Sequence, residues 1–331
     1  MAEKPPQEAT TTQKGSDKAT EKAGQAEPTR GGQGGPEGGV AADKEKSNKG
    51  GIEPGVTGKA GDAPGAAVAG TTAEASDQFP EIGRIARRGR LVVGMVAQDQ
   101  PPFFMKSQGG ELIGFDVSLA QGIARQLKVG VTFNREATTF NGVVDLVASG
   151  KVDIGISKLS RTLDRARRVL FSRPYAVLRQ GMLLNRLKLT RSAQGRHTAE
   201  VLGDFSGEIG VVRGSSYEGF AREKFPHATV IPFPDWEAII AAVLRGDILA
   251  AYRDEVEIKK IIRGMPEASL HLQTVVFKDA VDPIVVALPQ TSTGFREWIN
   301  IYFDAIKLNA TAETILDKYS EIFSVENESK E

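Results

Sequence analysis

The sequence predicts an α/β protein of two lobes, each a mostly parallel sheet flanked by helices, behind a disordered amino-terminal tail. Three observations predict it. Strands and helices alternate from Leu91 onward at a spacing that suits β–α–β crossovers. The alternation restarts after Gln180 without any internal repeat. The first 78 residues are a different material: after Met1 they contain no leucine, methionine or aromatic residue. Such a segment cannot bury enough apolar surface to offset backbone entropy. It reads either as a tether for an exported domain or as an extension with no defined role. The globular domain is expected over 79–331.

Taken in order, Leu91–Val96 reads as a buried strand. Asp116 is placed to cap a helix whose apolar positions Leu119, Ile123, Ala124 and Leu127 follow helical spacing. Val131–Phe133 is a strand, Phe140–Ala148 a helix ended by Gly150, and Ile154–Ser157 the next strand, followed by a helix that carries Arg165. In the second half Gly181–Leu184 and Ile209–Val212 are strands, Tyr217–Phe225 a helix, and Val230-Ile231 a strand. Asp235 caps a helix that Gly246 ends. The strand Leu249–Tyr252, the helix Glu255–Arg263 and the strands Thr274–Phe277 and Ile284–Leu288 follow, then helices over Gly294–Leu308 and Thr311–Phe323.

Composition narrows the function. The 331 residues carry 42 basic and 42 acidic side chains, so the chain lacks the basic surplus of a nucleic-acid binder. There is no cysteine, which removes disulfides, thiolate chemistry and cysteine-ligated metals. His197, His227 and His271 are scattered, so neither a metal site nor a catalytic triad is expected, and no cofactor. No run approaches the ~18 apolar residues of a membrane span, and no leader is seen at the amino terminus.

Three strand-to-helix junctions carry candidate chemistry. At the first, Arg165 lies at a helix start, where the dipole favours anions, beside the hydroxyls of Ser157, Ser160 and Thr162. That arrangement suits a carboxylate or phosphate. The plainer alternative makes Arg165 the first of a solvated run, Arg165-Ala166-Arg167-Arg168. At the second, Gly214-Ser215-Ser216 follows a strand and opens a helix, a second anion socket or simply a cap. At the third, Asp254 follows the strand Leu249–Tyr252, either to pair with a ligand cation or to cap the next helix. Two anion sockets and a carboxylate together suit a zwitterion, its carboxylate on Arg165 and its ammonium on Asp254.

With these residues in view the sequence resembles the solute-binding proteins for polar amino acids, the type II periplasmic binding proteins of bacterial extracellular family 3. The resemblance spans roughly residues 84–324. It rests on Gly89–Gly94, Pro101-Pro102-Phe103, Gly110–Val117, Leu146–Asp153, Phe171–Tyr175, Gly210–Ser216, Leu244–Asp254 and Ile315–Tyr319, in order. It implies that Arg165 clamps the ligand α-carboxylate with help from the Ser160 N–H and Ser216. Asp254 would take the α-ammonium with the carbonyl of Lys158. Lobe I would span about 84–179 and 282–325, lobe II about 180–281, with a hinge near Arg179-Gln180 and Ala280-Val281. Closure about that hinge would bury the ligand.

Two positions depart from the pattern. Gln100 stands where the family places an aromatic lid, a role that Phe103 or Phe104 could take over unless Phe103 is plain core. Lys158 replaces a small residue, and its ammonium either enters the cleft, favouring an acidic side chain, or reaches solvent.

The resemblance implies a non-catalytic, monomeric receptor in the periplasm or at the cell surface. It would deliver a polar L-amino acid, one with an acidic side chain if the Lys158 ammonium enters the cleft, to a membrane ABC permease. The alternatives on the same fold are a cyclohexadienyl-type dehydratase, disfavoured because no spare carboxylate is seen at a strand end, and a sensor module for a separate membrane signalling partner.

Overall fold

The computed structural model describes residues 79–319. The expected tail, 1–78, and the end of the last expected helix lie outside the described residues. Helix α1 (Pro80–Arg88) leads into β1 (Arg90–Val96), and a small hairpin of β2 (Met105–Lys106) and β3 (Leu112–Ile113) precedes α2 (Phe115–Gln126). Then come β4 (Gly130–Ala137), α3 (Phe140–Ala148), β5 (Ile154–Ser160), α4 (Leu163–Ala166), β6 (Leu170–Phe171) and β7 (Ala176–Asn185). The chain continues through α5 (Arg186–Ala193), α6 (Thr198–Gly203), β8 (Glu208–Val212), α7 (Tyr217–Lys224), β9 (Thr229–Phe233), α8 (Trp236–Arg245) and β10 (Ala250–Asp254). It ends with α9 (Glu255–Gly264), α10 (Ala268–His271), β11 (Leu272–Leu288), α11 (Thr293–Ala305) and α12 (Ala312–Lys318).

Among the described residues the strands join in the order β4-β1-β5-β11-β7-β10-β8-β9, with β6 also on β11. β1 is parallel to β4 and β5, and β8 is parallel to β10 and β9. The centre differs from the expected mostly parallel sheets: β11 is antiparallel to β5 and β7, and β7 to β10. The two expected strands at Thr274–Phe277 and Ile284–Leu288 are the ends of the single 17-residue β11. Its register against β7 slips between Val276 and Val281, where the partner changes from Gly181 to Arg179.

Apolar side chains fall into separate cores on either side of that slip. One gathers Val93, Ile154, Ile156, Phe103 and Val286 between the first sheet half and its helices. In the second half, alternation sends neighbours to opposite faces. Met182 and Tyr252 join Ile209 and Val211, while Leu183 and Ala251 join Ile239 and Val243. The chain is thus a two-lobed α/β fold in which β7 and β11 run through both lobes.

Local chemistry sets the helix starts. Thr139 accepts from the Gly142 N–H at α3, and Asp235 from the Ala238 N–H at α8, which the left-handed Gly246 (φ 78°) ends. The expected cap at Asp116 is not one. The N-cap of α2 is Gly114, at φ 127°, where an added Cβ would lie 2.4 Å from the Phe103 carbonyl oxygen. Asp116 is the second residue of the helix, fully buried, with its carboxylate turned toward β5.

Candidate functional site

The carboxyl ends of β5, β8 and β10 and the middle of β11, at Asp282, converge on one cleft. Arg165 enters from α4, a helix of four residues with Thr162 as its cap. It is 5% exposed, so the surface-run alternative does not apply to it. Its Nε donates to Asn141 Oδ1 at 3.0 Å and its Nη1 to the Ser160 carbonyl at 3.0 Å. Nη2 is buried and has no partner among the described residues. Burial lowers the pKa to about 10 against the opposing pull of Asp282. The guanidinium is therefore fixed on two edges and offers its third to the cleft.

Opposite Arg165 runs a chain of hydroxyls. Ser216 Oγ donates to Ser160 Oγ at 2.7 Å, and Ser160 Oγ donates to Asp282 Oδ2 at 2.9 Å. Tyr217 also donates its hydroxyl to Asp282 Oδ2, at 3.1 Å. The other oxygen, Oδ1, is buried and unpartnered. Burial, with the nearby Asp254 charge, raises the Asp282 pKa to about 7 despite the hydrogen bonds from Ser160 and Tyr217.

Lys158 supplies the third part. Against β11, Leu159 pairs with Val285 but Gly155 with Ala287, so β5 carries extra residues in a bulge. Lys158 lies in that bulge at φ 49°, a region most side chains avoid. Its N–H donates to Asp116 Oδ2 at 2.7 Å, and Tyr175 donates to the other Asp116 oxygen at 2.8 Å. Burial raises Asp116 to about 7, against these hydrogen bonds. The bulge turns the Lys158 side chain across the cleft, where Nζ lies 2.8 Å from both Asp254 Oδ2 and Glu257 Oε1. Asp254 performs two roles at once: its Oδ1 caps α9 by accepting from the Val256 and Glu257 N–H groups. For Glu257, burial alone would raise the pKa, but the charges of Lys158, Lys260 and Arg253 overcome it and hold the carboxyl well below its usual range.

Arg253 closes the far side. Its guanidinium lies over Phe140 at 5.8 Å and Trp236 at 5.7 Å, and donates to Gln100 Oε1 at 2.7 Å. The empty space between these groups, counted together with the open solvent at its mouth, comes to about 280 Å³, and the part enclosed has room for about one water molecule.

Of the residues singled out from sequence, Arg165, Ser160, Ser215, Ser216, Lys158 and Asp254 line this cleft. Ser215 Oγ is spent on the Val212 carbonyl, 2.6 Å away. Three others require correction. Ser157 is fully buried and its hydroxyl accepts from the Val96 N–H, so it serves the sheet. Phe103 is core, with its ring 6.2 Å from that of Phe115 and Lys158 Nζ 4.8 Å from its centre. Gln100, at the position of the family's lid and expected among the ligand-binding residues, instead accepts from Arg253 and is not among the groups that line the cleft. The Lys158 ammonium enters the cleft rather than reaching solvent, but there it meets carboxylates of the protein itself, so a preference for an acidic side chain does not follow from it.

Sequence reasoning missed Asp282, Glu257, Arg253 and Phe140. The expectation that no spare carboxylate faces the cleft is overturned by Asp282. Its signal was an aspartate between two apolar strand runs, which becomes visible once those runs are one strand. Glu257 follows Asp254 by three residues, a spacing that puts both on one helix face. Among the described residues no group of three His, Asp or Glu could hold a metal ion.

The family model for bacterial extracellular solute-binding proteins, family 3, matches residues 91–322. The chain belongs to this family. The putative ABC transporter arginine-binding protein 2 of Escherichia coli (strain K12) is 24% identical to this family 3 chain over 221 residues. That match covers 66% of this chain and 86% of the relative. The cyclohexadienyl dehydratase of Pseudomonas aeruginosa is 29% identical over 191 residues, 57% of this chain and 68% of the enzyme. A solved ancestral arginine-binding protein bound to arginine aligns with a TM-score of 0.56 at 27% identity, over 70% of this chain and 98% of that one. The fold is that of the type II periplasmic amino-acid-binding proteins, and family 3 is mainly non-catalytic, with the dehydratase as an enzymatic relative.

Proposed function

We propose that this chain is the solute-binding component of an ABC-type importer and closes its two lobes on a small, amino-acid-sized carboxylate. The observation that carries this reading is the Arg165 guanidinium, buried, fixed by Asn141 and Ser160, and left with Nη2 unpartnered. An unmet donor on a buried cation is costly, and a ligand carboxylate meets it. Relatives that bind amino acids support the size and class of the solute. Ser216, brought by the second lobe to the Ser160 hydroxyl, is the second anchor. Among the described residues lobe I takes in about 84–179 and those from 282 on, lobe II about 180–281, with the register slip between β7 and β11 as the hinge. The protein works as a monomer in the periplasm or at the cell surface, with a membrane permease as partner. The expected preference for an acidic side chain has no support in the geometry, because Asp254 and Glu257 already neutralise Lys158.

The test is a thermal-shift panel of amino acids and small organic carboxylates on the wild type and on Arg165→Ala. At a hundredfold excess over its dissociation constant a ligand adds about 2.7 kcal/mol of stability. A clear shift that disappears in Arg165→Ala is the expected result. A shift that survives the substitution, or no shift with any carboxylate, ends the reading.

A second reading follows from Asp282. A buried carboxyl with a pKa raised to about 7 and one unpartnered oxygen in the cleft has the properties of a general acid at neutral pH. On this reading it protonates the departing hydroxyl of a cyclohexadienyl carboxylate, which leaves as water while the ring carboxylate leaves as CO2 and its bonding pair makes the ring aromatic. Incubation with such a substrate, followed by absorbance of the aromatic product, tests it. Turnover by the wild type and none by Asp282→Asn would establish it.

A further inference from the structure

We propose that Lys158 is a built-in ammonium that fills the subsite a ligand's α-ammonium would otherwise use, so that the cleft selects a 2-oxo- or 2-hydroxycarboxylate over the matching amino acid. The inference rests on the reading of Arg165 as the carboxylate anchor and narrows the class of ligand.

The backbone gives the first argument. Lys158 holds φ 49° inside a strand whose seven residues are all buried. Glycine adopts that conformation without penalty, whereas lysine is strained there. The surroundings hold it in place through the Asp116 carboxylate on its N–H and two carboxylates on its Nζ. A strained, buried lysine persists where its side chain is needed, and this one reaches Asp254, which lines the cleft together with Arg165.

The inventory of donors and acceptors gives the second. Arg165 Nη2 takes the ligand carboxylate. Around it the cleft presents the cations Lys158 and Arg253, while Asp254 and Glu257 are both bonded to Lys158. An amino acid would bring a second ammonium to carboxylates that already hold one, placing like charges together away from water. A carbonyl or hydroxyl oxygen at the same carbon meets donors instead. Asp282 Oδ1 is the remaining unpartnered acceptor in the cleft among the described residues. A 2-hydroxyl can donate to it, and its protonated form can donate to a 2-oxo group.

The test is titration calorimetry on the full chain with ligand sets that share a side chain: alanine, pyruvate and lactate; glutamate and 2-oxoglutarate; phenylalanine and phenylpyruvate. The variants are Lys158→Gly, which removes the strain and frees both carboxylates, and Lys158→Met, which keeps the bulk without the charge. Arg165→Ala is the control for carboxylate anchoring. Wild type should bind the oxo or hydroxy member of a set at least about tenfold more tightly than the amino acid. Lys158→Gly should reverse the order, and Lys158→Met should lose the preference even if the glycine variant folds poorly. Wild type that prefers amino acids, with binding still dependent on Arg165, overturns the inference and leaves the receptor reading intact. An amino-acid preference lost in Asp282→Asn overturns it too, by placing the ligand ammonium on Asp282. Absence of any carboxylate binding removes both readings.

Discussion

Asp282 and Asp116 behave alike at the scale of single residues. Burial raises each from 3.8 to about 7. In the folded protein they stay protonated up to that pH, while in the unfolded chain they ionise near 4. Their contribution is therefore complete below about pH 4 and lost as the pH rises toward 7. About three units correspond to something on the order of 4 kcal/mol for each. Glu257 has the opposite sign: held below its ordinary 4.5, it stabilises above that pH and the contribution fades as the pH falls. Denaturant unfolding measured against pH should thus show stability falling from about pH 4.5 to 7. In Asp282→Asn that limb should be shallower and the acid limb unchanged. An unaltered slope between pH 4.5 and 7 in the variant would show that Asp282 titrates normally. At this scale Arg165, Ser160, Ser216 and Asp254 were legible because each stands where a strand meets a helix. Asp282 and Arg253 were not, since their place depends on partners over 100 residues away, Ser160 and Gln100.

Among the elements, β7 shows how closely the sheet is packed where the lobes meet. A Cβ on Gly181 would lie 2.6 Å from Ile258 Cδ1 and 2.8 Å from the Val275 carbonyl oxygen. The isoleucine tip can move, but the carbonyl belongs to β11, paired across β7 at that register. Gly181→Ala should cost about 1–3 kcal/mol. Gly219, inside α7, has nothing within 4 Å of its would-be Cβ, so Gly219→Ala should add up to about 1 kcal/mol through helix propensity. Denaturation midpoints of the two variants check both signs, and equal effects would contradict the packing argument. The same closeness explains which elements were legible. α3 and α8 announce themselves through Gly150, Asp235 and Gly246, so local sequence suffices. The unity of β11 does not: Asp282-Pro283 looks like a break in a local reading, and only pairing with β7 on one side and β5 on the other keeps the strand continuous. β5 likewise runs three residues past Ser157, because Leu159 and Ser160 pair with Val285 and Ile284. That extension carries the bulge that aims Lys158.

For the whole molecule, the same bonds that shape the cleft also join the lobes. Lys158 reaches Asp254 and Glu257, Ser216 reaches Ser160, Arg253 reaches Gln100, and Lys260 donates to the Pro101 carbonyl at 2.8 Å. At the rim Lys259 pairs with Glu313 at 2.5 Å, partly exposed and so of little weight. The Lys158 pairs are the decisive ones, since removing one member of a buried ion pair costs about 3–5 kcal/mol. A hundredfold preference for the closed form needs only about 2.7 kcal/mol, so one side chain can set the balance. In solution without added ligand the wild type should therefore populate mainly the closed form. Lys158→Met, with two carboxylates left facing each other, should open. The absence of cysteine makes the measurement clean: spin labels at Glu111→Cys and Glu237→Cys, both exposed and in different lobes, have no competing thiol. The wild type should give one dominant short distance, with a minor longer component, the open form that admits a carboxylate, which shrinks when the lobes close on it. The Lys158→Met background should give a longer or broader distribution that shortens on binding. If both proteins show the same distances, the lobes are held by the hinge strands alone and Lys158 has no part in closure.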